Sequence, residues 1–213
     1  IVEMKDEEKQ IKLLERLPEN DQTRLLKASI LNDLGEYEEA IECCDRTVEQ
    51  FPYSTRFDEG VQSVKAEALE KLGRHEEAIK CWDKAIEIDE EYRPTYYYAA
   101  KAKILNLLGR HEEAIKCVDE AKTSTDIEDP IEKAELFFQK SEALDRLARY
   151  EEAIECLDEI IKNFNDKEFV DGRVNDAWKR KARLFRDSGR YEEHKKCCEE
   201  MKKLFPTAEQ KSY

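Results

Sequence analysis

The chain has 213 residues, enough for one or two domains with a buried core. Charged residues make up 41% and mean hydropathy is −0.85, a composition of many exposed polar faces, and no stretch approaches the 18 consecutive apolar residues of a membrane-spanning helix. The formal net charge of −14 argues against wholesale wrapping by nucleic acid, whose phosphates need a basic surface. Seven cysteines form an odd set with no CxxC spacing, so a disulfide framework is not expected and a reducing compartment, the cytoplasm, is.

In chain order, near-copies of one string pace the sequence: LGEYEEAI at 34–41, LGRHEEAI at 72–79 and again at 108–115, LARYEEAI at 147–154 and SGRYEEHK at 188–195. Successive copies lie 38, 36, 39 and 41 residues apart, the mark of an internal repeat. Each copy reads as a turn between two helices. Gly35, Gly73, Gly109 and Gly189, with Ala148 in the fourth copy, stand where a helix ends in a left-handed residue. Two glutamates follow each time, in the first turn of the next helix, where the helix dipole favours negative charge.

Ahead of the turns, apolar and small residues recur at helical spacing: Tyr98, Ala102 and Leu105, then Phe137, Ser141 and Leu144, then Trp178, Ala182 and Phe185. After a turn, Ala78, Trp82 and Ala85 do the same. Two amphipathic helices per unit are predicted.

The pattern resembles the tetratricopeptide repeat, a 34-residue helix-turn-helix unit, over most of the chain. The resemblance implies an all-α fold, a right-handed α-α superhelix of antiparallel helix pairs, with five repeats at 21–54, 59–92, 95–128, 134–167 and 175–208. The family's small residue before the turn is Ala28, Ala66, Ala102, Ser141 and Ala182. Its alanine after the turn is Ala40, Ala78, Ala114, Ala153 and, departing from the pattern, His194. The closing proline appears as Pro52 and Pro206 and is missing from the middle three.

Pro18 lies 34 residues before Pro52, so residues 1–20 are expected to form an N-terminal half-repeat helix, and 209–213 a short tail. Ile1 rather than methionine stands first, so either the chain is a piece of a longer protein or Met4 is the natural start. In the fifth copy the Ala-Ile pair becomes His194-Lys195, the polar face expected of a terminal cap.

Candidate chemistry is sparse. His75-Glu76 and His111-Glu112 open like HExxH, but Ile79 and Ile115 stand where the second zinc ligand is required, and the histidines fill the aromatic slot of Tyr37, Tyr150 and Tyr191. Cys43, Cys81, Cys117, Cys156 and Cys197 share one repeat position, too far apart to converge on a metal, and read as small apolar filler. Lys27, Lys65, Lys101, Lys140 and Lys181 precede the small residue of every first helix, where long stems are expected to cover apolar surface while the ammonium groups reach water. No phosphate loop or nucleophile arrangement occurs, so neither an enzyme nor a cofactor is expected.

In this family the first helices line a concave groove where ligands lie. By frame, that resemblance implies Tyr96, Lys103, Phe138, Gln139, Lys179, Arg180, Arg183 and Arg186 as partner contacts. Tyr96 and Phe138 are expected as exposed aromatic anchors. The stripe Lys179, Arg180, Arg183 and Arg186 either receives an acidic or phosphorylated segment or is a solvated face neutralised by acids of the fourth repeat. The Lys/Asn pattern by which chaperone-binding members clamp a C-terminal carboxylate is absent: Leu25, Ser29, Val64, Tyr96 and Ala100 stand at its places from repeat one.

The expected function is a non-enzymatic interaction scaffold for a protein or peptide, acidic segments included, with nucleic acid and membrane disfavoured and the oligomeric state unreadable. The alternatives are a regulatory module of a larger protein, or a binder of RNA or another phosphate-bearing ligand through the fifth repeat.

Overall fold

The computed structural model describes residues 20–50, 58–88, 95–124, 130–163 and 172–205. The expectations for 1–19, Pro52, Pro206 and 209–213 lie outside the described residues. Within them the fold is all-α: ten helices and no strand. They are α1 (Asp21–Leu34), α2 (Tyr37–Gln50), α3 (Asp58–Lys71), α4 (His75–Ile88), α5 (Thr95–Leu107), α6 (His111–Ser124), α7 (Pro130–Arg146), α8 (Tyr150–Asn163), α9 (Gly172–Asp187) and α10 (Tyr191–Leu204). None of these is long and apolar enough to cross a membrane.

Local chemistry sets the helix ends. Asn20 opens α1 with a reciprocal capping box: its side chain accepts from the Thr23 amide at 2.9 Å while the Thr23 hydroxyl oxygen accepts from the Asn20 amide at 3.1 Å. Every first helix closes on a left-handed residue, at φ +82° for Gly35, +73° for Gly73, +74° for Gly109, +76° for Gly189 and +56° for Ala148. The turn satisfies two orphan carbonyls each time, as where Gly109 donates to the Asn106 carbonyl at 3.0 Å and Arg110 to the Leu105 carbonyl at 2.8 Å.

The next helix starts with an arginine fork. Arg74, Arg110 and Arg149 each grip the glutamate three residues on (Glu77, Glu113 and Glu152) through two hydrogen bonds of 2.6–2.7 Å. The Arg74 and Arg149 guanidiniums hold the Glu77 and Glu152 carboxyls below the usual carboxylate range. These pairs are exposed, so they fix local geometry more than they add stability.

The chain divides into two compact units, Ile1–Ile104 and Leu105–Tyr213. In the first, α1 packs on α2 and α3, α2 on α3, and α3 on α4. Ala28, Cys44 and Val61 form a core cluster from three helices, with Leu25, Cys43 and Val64 against it. Gly60 stands where Leu25 leaves no space: a Cβ there would meet its Cδ2 at 2.9 Å. In the second unit, α7 packs on α6 and α8, and α9 on α8, α10 and α7. The small residues on both sides of the turns are buried, Ala66, Ala78, Ala102, Ala114 and Ala153 completely, so the paired helices approach with no space for a longer side chain.

The lysine column corrects one expectation. Lys65, Lys101, Lys140 and Lys181 each end on a carboxylate of the preceding second helix, Asp45, Asp83, Asp119 and Asp158 in turn, instead of running out to water. The lysine side chains are only 15–23% exposed. A second rung joins successive first helices. Asn32 donates to the Val64 carbonyl at 2.8 Å and Asn106 to the Gln139 carbonyl at 2.9 Å. At the equivalent places Glu70 takes Lys103 at 2.6 Å and Asp145 takes Arg183 at 2.6 Å.

Candidate functional site

A residue on a first helix that faces neither its partner helix nor the next repeat is open to a ligand. On the first unit that surface comes from α1, α3 and the start of α5. Tyr96 occupies the second position of α5 and keeps 49% of its surface exposed. Its ring is nonetheless fixed. The hydroxyl donates to Oε1 of Glu67 on α3, the ring meets Trp82 on α4 nearly edge to face at 5.6 Å, and it meets Tyr97 at 6.0 Å. Burial first, and then the hydrogen bond to Glu67, push the phenol well above its ordinary range, so it remains a protonated donor.

Two turns further along α5, Lys103 reaches Glu70; the lysine side chain is 60% exposed and the glutamate 20%. Leu26 on α1 adds an apolar side chain that is 51% exposed. Tyr96 therefore meets the expectation of an exposed aromatic, and Lys103 is a surface cation held by one acid.

The second unit departs from expectation at its aromatic. Phe138 is 7% exposed, because Arg180 of α9 lies across its ring at 4.8 Å from the centroid. It is a packing platform and not an exposed anchor. Gln139 is equally covered at 9%: its amide donates to Oε1 of Glu135 at 3.0 Å, and its backbone carbonyl is the acceptor for Asn106. Both side chains turn inward where α7 receives its neighbours, a feature that helical spacing alone does not reveal.

The basic stripe is a set of ion pairs. Arg180 lies 3.9 Å from Glu142, Arg183 2.6 Å from Asp145, Lys179 3.2 Å from Asp176 and Arg186 3.0 Å from Asp187. Arg180 and Arg183 line a concavity of about 370 Å³ with Glu142, Asp145, Arg146 and Asp187, three cations against three acids. Of the two outcomes left open for this stripe, neutralisation by acids of the fourth repeat describes Arg180 and Arg183. Lys179 and Arg186 do not line the concavity.

The acidic half of the lysine-column pairs carried a sequence signal. Asp45, Asp83, Asp119 and Asp158 recur at one repeat position just as the lysines do. Matching the two columns at the repeat spacing would have paired them.

The cysteine column is buried at Cys81, Cys117, Cys156 and Cys197 and partly so at Cys43, in line with its role as apolar filler. Burial pushes the Cys44 thiol up to about 12 and Cys197 to about 11, which makes them poor nucleophiles. The histidines fill their slots in different ways. His111 Nδ1 lies 3.3 Å from the Asn106 side-chain oxygen, whereas His194 Nδ1 meets the Ala182 carbonyl at 2.8 Å.

Comparison with known proteins agrees with this geometry. Tetratricopeptide-repeat family models match residues 11–55, 62–92, 95–124 and 138–193. A search of the curated proteins finds no match. Among solved structures, BtubC (BKLC) from P. vanneervenii is similar at a TM-score of 0.73 and 13% identity, over 90% of this chain and 81% of that one. YrrB, a TPR protein with an unusual peptide-binding site, is similar at 0.64 and 16%, over 93% of each chain. Residues 41 to the end of MamA from Desulfovibrio magneticus RS-1 are similar at 0.64 and 15%, over 92% and 99%. At such identities the likeness is one of fold. With the repeated turns, the buried small residues and the matched family models together, the chain belongs to the tetratricopeptide repeat family.

Proposed function

We propose that this chain is a non-enzymatic cytoplasmic scaffold that holds a peptide segment or partner protein on the faces of its first helices, within five repeats spanning 21–208. The observation that carries the proposal is Tyr96. It is a large aromatic held at its hydroxyl and against two rings, yet it leaves half its surface to solvent. A pre-positioned aromatic loses little entropy on binding, the property of an interface anchor. Peptide binding by the structurally similar YrrB supports the class of ligand.

Lys103 is the neighbouring polar contact on the first unit. On the second, Arg180 and Arg183 line the concavity and are the proposed contacts, with Phe138 packed beneath Arg180. Binding of RNA or another phosphate-bearing ligand is less favoured, because the arginines it would need are already paired.

Random peptides displayed on phage and selected on the whole immobilised chain test the proposal, with affinities of recovered sequences measured by calorimetry. Recovered peptides are expected to lose about ten-fold or more in affinity for Tyr96→Ala, with unchanged helicity by circular dichroism. Recovery of no peptide above a blank support would overturn the scaffold function.

A further inference from the structure

The open surface around Tyr96 is not neutral. Glu67 and Glu70 lie one helical turn apart on α3, where Glu70 takes Lys103 and Glu67 takes the Tyr96 hydroxyl. Glu67 is then engaged by an uncharged phenol alone among the described contacts, so its negative charge is uncompensated there. In the second unit the equivalent positions carry Glu142 and Asp145, and two arginines answer them. There the place of an incoming cation is taken by Arg180, which stacks on Phe138 and lies 3.9 Å from Glu142. At the matching position of α5 stands Ala100. The first unit thus keeps the acid without the arginine; Ser63 stands at the place of Phe138, and the aromatic beside Glu67 is Tyr96 of α5 instead.

We infer that the Tyr96–Glu67 surface receives an arginine side chain from a basic segment of a partner protein. This rests on the scaffold function proposed above and names the chemistry of its partner. A guanidinium suits the site on two counts. Its planar face stacks on a tyrosine ring, and its fork matches a carboxylate with lone pairs to spare beyond one hydrogen bond. Lysine would satisfy the charge without the stacking. A phosphate or an acidic peptide would meet Glu67 and Glu70 at the surface of a chain with a formal charge of −14. The arrangement reverses the expectation of an acidic partner, which rested on arginines that the fold has already paired.

The peptides recovered by display on the whole chain decide this. Arginine-bearing sequences are expected to dominate, and Arg→Lys exchange within a recovered peptide is expected to weaken it several-fold. Glu67→Gln retains an acceptor for the Tyr96 hydroxyl while removing the charge. It is expected to weaken those peptides about ten-fold at low ionic strength, with the difference shrinking as salt is raised. Dominance of acidic or uncharged sequences would overturn the inference while leaving the scaffold function standing. So would arginine peptides that are lost in Tyr96→Ala yet indifferent to Glu67→Gln. Recovery of no peptide removes both.

Discussion

Ala148 adopts φ +56° at the turn position that glycine fills in the other four repeats, where φ runs from +73° to +82°. A Cβ at this angle crowds the following carbonyl and costs about 1 kcal/mol. Ala148→Gly is therefore expected to raise stability by roughly that amount, less what glycine loses in chain entropy. Gly109→Ala should cost about 1 kcal/mol through backbone strain alone, because nothing lies within 4 Å of the added methyl. Urea midpoints of both variants check the pair, and opposite signs are required.

The cysteines offer a second test at this scale. Burial raises the thiols of Cys44, Cys81 and Cys197, whereas Cys43 and Cys198 are partly exposed. Alkylation of the native chain near pH 8 should mark Cys43 and Cys198 first, as read by peptide mass spectrometry; equal labelling of Cys44 would contradict its burial. The sign of the pH effect follows. A thiol that stays protonated in the fold but ionises near pH ~8.5 when unfolded contributes stability below that pH and loses it as pH rises. Thermal stability should fall from about pH 9 upward, and by less in Cys44→Ala.

Between elements, successive repeats are joined by mostly buried lysines on half-exposed aspartates, with Lys140 at 16% and Asp119 at 49% side-chain exposure. Such a pair lies between a surface bridge and a buried one, and a Lys140→Met, Asp119→Asn double-mutant cycle should show a coupling of about 1 kcal/mol that weakens with salt. Strict additivity would mean that the ladder is only geometric. The helix pairs themselves depend on small residues: Ala78 and Ala114 are completely buried. Ala114→Glu should cost roughly 3 kcal/mol or more by overpacking and by burying a charge, measured as loss of urea stability. Replacing Arg180 and Arg183 with glutamate would be a poor probe of partner binding. It would set new acids against Glu142 and Asp145, so Gln variants are the cleaner test.

For the whole molecule, charge decides what can approach. With a formal charge of −14 and the basic stripe of α9 paired with acids, the chain should give no electrophoretic shift of short single-stranded RNA at micromolar protein and moderate salt. A shift abolished by Arg183→Gln would restore the phosphate-binding alternative. The family, the all-α class, the left-handed turns and the buried Tyr98, Phe137 and Trp178 stripes were all determined by sequence. Each depends on local propensity and a helical period, which neighbouring residues carry in themselves. Only the tertiary structure decided that Phe138 lies beneath Arg180, that the lysine column ends on aspartates and that Arg183 is held by Asp145. The periodicity of one helix cannot show what a helix of the next repeat brings within reach. Exposure and charge pairing are set across that distance: they leave Tyr96 exposed where Phe138 is covered, and Glu67 with a phenol alone among the described contacts.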